Sequence, residues 1–359
     1  MPVLAVGATA AALAIAGTFL IGNEKIVEGA CDRLEPYLRL QMKPLVVSAH
    51  GSPGVGKSFM HKLAARALYN RHPHLDLDCP GMDCSSLKVF SGLDYVSADR
   101  NLQHAALKAA LVEHLNKSPQ ALIVIDEYDK MDCETQFMFR QLIQGSHNAK
   151  LSMNRAIVVL ESNAGFHELH QLLVKTKDRL KLNPEKVQRM LKEIVSQKWD
   201  ATGCHDHASL WKMVSMVDFF LPFLPLEQSD LRRLFDIRLN AIAADLLQAQ
   251  QAELTWAPDV IAFLCDKVDY DGRYSIEGAK EASVLLTRYV SRALRQWQQQ
   301  QPPKHQSPIS YAVSQTGYNL PEVKLPQFVT GTPKAMFFLH LVVKPQGHGL
   351  GLLERRRSA

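Results

Sequence analysis

The sequence predicts an α/β protein in which a parallel sheet lies between two layers of helices, followed by a smaller helical domain. Three observations carry that prediction. The runs Leu45-Val46-Val47-Ser48-Ala49, Ala121-Leu122-Ile123-Val124-Ile125 and 156–160 are continuously apolar rather than alternating, as strands buried on both faces require. Helical periodicity fills the stretches between them, which is the alternation that builds a parallel three-layer sheet. Beyond Gly165 the strand pattern stops and helical patterns take over.

Taken in order, residues 1–23 carry no charge and consist almost wholly of Ala, Gly, Leu, Ile and Val. The segment 1–22 reaches the roughly 20 residues needed to cross a bilayer, yet lacks the basic start of a secretory signal. It is expected to be a hydrophobic signal or membrane segment, with a buried N-terminal helix as the alternative. Residues 22–40 read as an amphipathic helix leading to the strand at Leu45. After that strand, positions 59–70 place Phe59, Met60, Leu63, Ala64, Ala67 and Leu68 on one helical face. A short strand is expected at 87–90, and a helix at 101–116 with Leu107, Leu111 and Leu115 at four-residue spacing. Pro119 closes that helix before the run at 121–125. A further helix at 137–143 precedes the run at 156–160. Helices are then expected over 184–198, 231–247, 258–268 and 277–300, with a turn at Asp271-Gly272 between the last two.

These elements divide the chain into the hydrophobic segment 1–22, a large α/β domain over 23–226 and a small helical domain over 227–300. Residues 301–359 are expected to be a linker and C-terminal tail without order, since 301–333 are rich in Gln, Pro and Ser. Residues 335–343 turn apolar again but are too few to span a bilayer.

Composition sets outer limits on function. With 359 residues, 47% hydrophobic and 21% charged, the chain is an ordinary globular one with length for a real core. The formal charge of +5 owes much to Arg355-Arg356-Arg357 and forms no nucleic-acid signature. Six cysteines (Cys31, Cys79, Cys84, Cys133, Cys204, Cys265) show no Cys-x-x-Cys pair and leave the redox compartment open. His72, His74, Cys79 and Cys84 fit no familiar zinc spacing, and Pro73 and Pro80 mark their stretch as a loop.

The chemistry begins where the first strand ends. Gly51-Ser52-Pro53-Gly54-Val55-Gly56-Lys57-Ser58 matches the phosphate-binding loop G-x-x-x-x-G-K-S in full, between a strand and a helix that begins near Phe59. Its glycines let successive backbone N–H groups curl around a polyphosphate, and the helix N-terminus adds its positive end. Lys57 reaches the outer phosphates, and the Ser58 hydroxyl can sit on Mg2+. Residues 51–58 and Phe59 are therefore the candidate ATP-binding set, as is Asp126. Asp126-Glu127 follows the second apolar run at once. There Asp126 can hold Mg2+ through water while Glu127 polarises the attacking water. Asn163 ends the third run, where its amide can orient the same water or touch the γ-phosphate; alone, it would read as a turn residue before Ala164-Gly165. Lys280 follows Glu277-Gly278-Ala279 near the start of the last long helix, and as a lid cation it would stabilise charge on the transferred phosphoryl group.

The order of these four elements, followed by a helical lid, resembles the AAA+ P-loop ATPases. Asp126-Glu127-Tyr128-Asp129-Lys130-Met131, Ser162-Asn163-Ala164-Gly165 and Phe220-Leu221-Pro222-Phe223-Leu224-Pro225-Leu226-Glu227 are similar to the corresponding stretches of torsins, the Clp-related ATPases of the endoplasmic reticulum and nuclear envelope. The likeness runs over about 22–295 and is loosest in the lid. It implies an AAA+ ATPase, membrane-associated in the endoplasmic reticulum lumen or nuclear envelope. It also implies activation by the luminal domain of a membrane-bound partner that supplies an arginine, and a homo- or hetero-oligomer. The chain departs from the pattern at Ser58, where torsins usually have Asn, and at Gly278-Ala279-Lys280, where they carry Gly-Cys-Lys, so a thiol switch at the lid is not expected. The uncharged N-terminal segment departs as well.

Two features of Clp-type unfoldases are missing. Counting back ten residues from Pro225-Leu226 reaches Met216 where those proteins have an arginine, and 199–231 contains none. No Gly-Tyr-Val-Gly pore loop stands between Phe90 and Asn101, Asp94-Tyr95-Val96 being the nearest match. A partner-activated, torsin-like ATPase is the leading expectation. A Clp-like unfoldase or disaggregase and an ATP-binding scaffold with little hydrolysis are the alternatives, the first weakened by Met216 and the second by the intact Glu127.

Overall fold

The computed structural model describes residues 43–69, 86–94, 100–144, 153–201, 203, 207–300, 337–345 and 349–356. The N-terminal segment, the helix expected over 22–40, the His72, His74, Cys79 and Cys84 group, Tyr95-Val96 and the stretch 301–333 lie outside these residues. The chain divides into two compact units, Met1–Leu224 and Pro225–Ala359.

The first unit is built on a five-stranded sheet, β1 (Leu45–Gly51), β2 (Leu87–Ser91), β3 (Leu122–Asp126), β4 (Ile157–Ser162) and β5 (Phe219–Phe223), in the order β2-β3-β4-β1-β5. Every pairing in it is parallel. The helices between are α1 (Lys57–Tyr69), α2 (Arg100–Lys117), α3 (Cys133–Ile143), α4 (Phe166–Thr176), α5 (Pro184–Ala201) and α6 (His207–Met216). This is the α/β P-loop fold expected from the alternation. Both faces of the sheet are buried, which is why the strand sequences are continuously apolar. Leu45, Val47 and Ala49 share one core with Leu122, Val124 and Val159 and with Met60, Ala64 and Ala65 of α1. Val46, Ile123, Ile125, Val158 and Leu160, the intervening residues, are buried as well. Leu107, Leu111 and Leu115 are all buried, as their spacing on α2 predicts.

Strands do not stop at Gly165. β5 was not foreseen as a strand because Pro222 interrupts it, and a proline cannot donate to a ladder. It sits at the edge of the sheet, paired on one side to β1 with His50 opposite Pro222, so its other side asks for no N–H donor. At its end Gly51 approaches Phe223 so closely that a Cβ would collide with the Phe223 carbonyl and lie 2.8 Å from its Cβ. That contact fixes the first glycine of the phosphate-binding loop.

The second unit contains α7 (Gln228–Gln250), β6 (Ala252–Trp256), α8 (Pro258–Asp266), the short strands β7 (Tyr270–Asp271) and β8 (Tyr274–Ser275), α9 (Ala279–Leu285), a π-helical turn at Leu286–Ser291 and α10 (Arg292–Gln299). The turn expected at Asp271-Gly272 joins β7 to β8, with Gly272 at φ +60°. The second unit is helical as expected, with short strands added, and the expectation that the tail lacks order needs correction over the described residues 337–345 and 349–356. β9 (Phe337–Val343) runs parallel to β6, and β10 (Leu350–Arg356) runs antiparallel to β9, giving a three-stranded sheet β10-β9-β6. Its apolar residues Phe337, Leu339, Leu341 and Leu350 join the core formed by Leu231, Phe235, Leu239, Leu264, Leu294 and Trp297. Among the described residues no helix is long and apolar enough to cross a membrane.

Candidate functional site

Parallel order places the C-terminal ends of β1, β4 and β3 side by side, and everything that follows these ends gathers there. From β1 the chain enters the loop 52–56, in which Gly54 and Gly56 take φ of +77° and +102°. A side chain would be strained at either, so the loop needs glycine there. α1 begins at Lys57, with Met60 N–H bonded to Gly56 O at 2.9 Å.

Lys57 is buried, and its ammonium donates to Gly51 O at 2.7 Å, Ser52 O at 2.9 Å and Asn163 Oδ1 at 2.9 Å. Burial draws its pKa below the usual lysine range, against the pull of Glu161, Asp126, Asp129 and Glu127. Asn163 is therefore in the site, and the turn that puts it there is set by Gly165. That residue sits at φ +80°, where an added Cβ would lie 2.9 Å from Leu191. Ser52 Oγ is buried with no hydrogen-bond partner, a donor placed to suit an incoming phosphate oxygen.

Asp126 ends β3, opposite Ser91 of β2. Burial, then the Glu161 and Glu127 carboxylates, push it up to about 6. A carboxyl group held in that state is one that a divalent cation would relieve, and Asp126 with the Ser58 hydroxyl makes the all-oxygen donor set that suits Mg2+. Glu127 is left-handed at φ +52°, ψ +41°, a region that glycine tolerates and glutamate rarely adopts. The Gly92 backbone lies so close that an added Cβ would strike the Glu127 carbonyl, so the turn after β2 helps hold this conformation. Strain of this kind concentrates where a side chain has to be aimed.

Sequence reasoning missed a second layer beneath these groups. Glu161 lies inside β4 opposite Ala49 and is fully buried. It accepts from Ser58 Oγ at 3.2 Å and from His61 Nδ1 at 2.8 Å. Burial alone would raise its pKa, but His61, Lys57 and the Ser58 hydrogen bond together hold it below the usual carboxylate range. The signal was present as a glutamate breaking an apolar run and a histidine on the apolar face of α1. His50, next to Gly51, is also buried, with Ser48 Oγ 2.7 Å from its Nε2 and its ring stacked on Phe220. Burial, with Lys57 and Lys198 nearby, lowers it to about 3, so it is neutral at physiological pH.

Lys280 belongs to the second unit, in the first turn of α9 after Gly278, which has φ +55°. Met216, at the position where the unfoldase comparison asks for an arginine, is buried at the end of α6. Among the described residues no group of His, Cys, Asp and Glu is arranged to hold a metal by itself.

With this geometry in place, residues 47–184 match the ATPase family associated with various cellular activities (AAA). The chain carries an AAA domain. The matched residues include the loop 51–58, Asp126 at the end of β3, Glu127 after it and Asn163, and they end as α5 begins. The chain is also 25% identical over 250 residues to the chaperone protein ClpB of Chlamydia muridarum, and 24% identical over the same length to ClpB of Chlamydia caviae. Each alignment covers 67% of this chain but only 26% of the relative, so the chain spans about a quarter of the length of these relatives. A Torsin-like protein of Drosophila melanogaster is 24% identical over 260 residues, covering 69% of this chain and 71% of that one. The similarity to both kinds of relative is weak.

Proposed function

We propose that the chain is a torsin-like AAA+ ATPase that binds ATP with Mg2+, turns it over slowly alone and is activated by a partner that supplies an arginine. The observation that supports this most is the meeting of Lys57 and Asn163, which joins the phosphate-binding loop to the end of β4 beside the strand that carries Asp126 and Glu127. Residues 51–58 and Phe59 would hold the phosphates, with Lys57 turning from the loop carbonyls toward the outer ones. Bound Mg2+ would share its charge with the phosphate oxygens, held by Ser58 and, through water, by Asp126. Glu127 then orients and polarises the attacking water and Asn163 steadies it. Lys280 is kept as the lid cation that the resemblance to AAA+ ATPases implies. Met216 leaves the chain without its own finger at that position, which is the reason for assigning the arginine to another molecule.

The same reading places the protein at the membrane of the endoplasmic reticulum or nuclear envelope, attached through 1–22 and working as a homo- or hetero-oligomer. The likeness to a Torsin-like protein of similar length supports it. The likeness to ClpB chaperones supports remodelling of proteins as the task, with membrane organisation the task implied by torsins.

Glu127→Gln tests the assignment. The amide keeps size and reach but loses the carboxylate, so turnover should fall by about 10²–10⁴-fold while ATP binding survives. Wild-type turnover in this variant would remove Glu127 from the role of base.

A further inference from the structure

The proposed reaction needs the Ser58 oxygen to face Mg2+, and the structure contains a device that can turn it there. A hydroxyl has one rotatable proton and two lone pairs, so committing the proton to one acceptor fixes the direction in which a lone pair can be offered to a metal. Here the proton goes to Glu161 Oε2 at 3.2 Å, on β4, the strand between β1 and the strand of Asp126. The other oxygen of that carboxylate is taken by His61 Nδ1 at 2.8 Å. Ser58 and His61 stand three residues apart near the start of α1, so they lie on one helical face and grip Glu161 together. Both partners are almost wholly removed from water, His61 at 2% and Glu161 at 0% exposure. A carboxylate buried directly after the apolar run Ile157-Val158-Val159-Leu160 of β4 costs several kcal/mol unless paired. Leucine or valine would fill the position at no such cost, and a packing role alone does not call for glutamate.

We propose that Glu161, locked by His61, is a positioning residue that accepts the Ser58 proton and so aims the Ser58 oxygen at the Mg2+ of the bound nucleotide. Asp126 is thereby left free to meet the same ion through water rather than being tied to Ser58. The proposal rests on the reading of 51–58 as a nucleotide loop and assigns its metal dependence to a residue on β4, 103 positions beyond Ser58 in sequence.

The test is the binding of a fluorescent ATP analogue to the full chain, titrated with Mg2+ and repeated in EDTA. Partners that orient a metal's ligands change metal affinity by about 10–100-fold, so Glu161→Gln should raise the half-saturating Mg2+ concentration by about that factor and leave affinity in EDTA unchanged. Adding Glu161→Gln to Ser58→Ala should produce no further change, because there is no longer a hydroxyl to orient. The double variant His61→Leu with Glu161→Leu removes both buried partners, and replacing such a pair by apolar groups is often neutral or stabilising. It should melt no lower than the wild type yet need the same excess of Mg2+. An unaltered Mg2+ requirement in Glu161→Gln, or a loss of affinity equal in Mg2+ and EDTA, would overturn the proposal. Failure of the wild type to bind the analogue in either condition would refute the nucleotide site itself, and the proposal with it.

Discussion

Lys57 donates to three oxygens, two from the phosphate-binding loop and one from Asn163, so this one ammonium ties the loop to the end of β4. A charge-assisted hydrogen bond is worth about 1.5–3 kcal/mol, so losing two such bonds to phosphate should weaken ATP binding at least about a hundredfold. Lys57→Ala is expected to show this in isothermal titration, and an unchanged affinity would overturn its assignment. His50 makes a second residue-scale claim. Its folded pKa of about 3 lies below the ordinary value of 6.5, so between those values the unfolded chain binds the extra proton. The stability it permits is complete above 6.5 and is lost as pH falls below that value. Asp126, raised to about 6, works in the opposite sense, so His50 is best isolated by difference. Between pH 7 and pH 5 the wild type should lose about 2 kcal/mol more than His50→Phe in urea unfolding. Parallel pH curves would show that His50 is not buried as a neutral ring. At this scale the sequence revealed residues with a fixed spacing, Gly51 to Ser58 and Asp126-Glu127. It concealed Glu161 and His61, whose partners stand about a hundred residues apart and meet only through strand order.

Continuous apolar runs revealed β1, β3 and β4, because burial on both faces leaves a pattern that does not depend on neighbours. β5 and the pair β9–β10 were hidden for different reasons. Pro222 argues against a strand until the edge position is known, and β9 finds its partner β6 only across a long separation in sequence. Trp297 shows what those last strands contribute. It meets Phe337 edge to face at 5.5 Å, and its indole N–H donates to Glu354 Oε2 at 2.9 Å. Truncating a buried tryptophan costs about 3–5 kcal/mol, and Trp297→Ala should destabilise the second unit by that much in chemical denaturation. A loss under about 1 kcal/mol would mean that β9 and β10 add little to its core.

For the whole molecule, the proposed reaction assigns charge-handling roles to Lys57, Asp126, Glu127, Asn163 and Lys280, and the proposal reads Met216 as the position at which a Clp-type unfoldase has its arginine. Such an arginine is worth about 10³–10⁵ in rate, which makes slow turnover by the isolated chain the central expectation. Docking of a partner that presents one should speed turnover at least tenfold, about 1.4 kcal/mol in barrier, and should require ATP because the γ-phosphate is what the arginine would touch. The decisive measurement is steady-state ATP turnover by the purified full chain across a wide range of its own concentration. The account predicts a low rate per chain that stays flat as concentration rises. A rate of several per second that climbs with self-assembly would contradict it, because the chain would then be supplying its own finger.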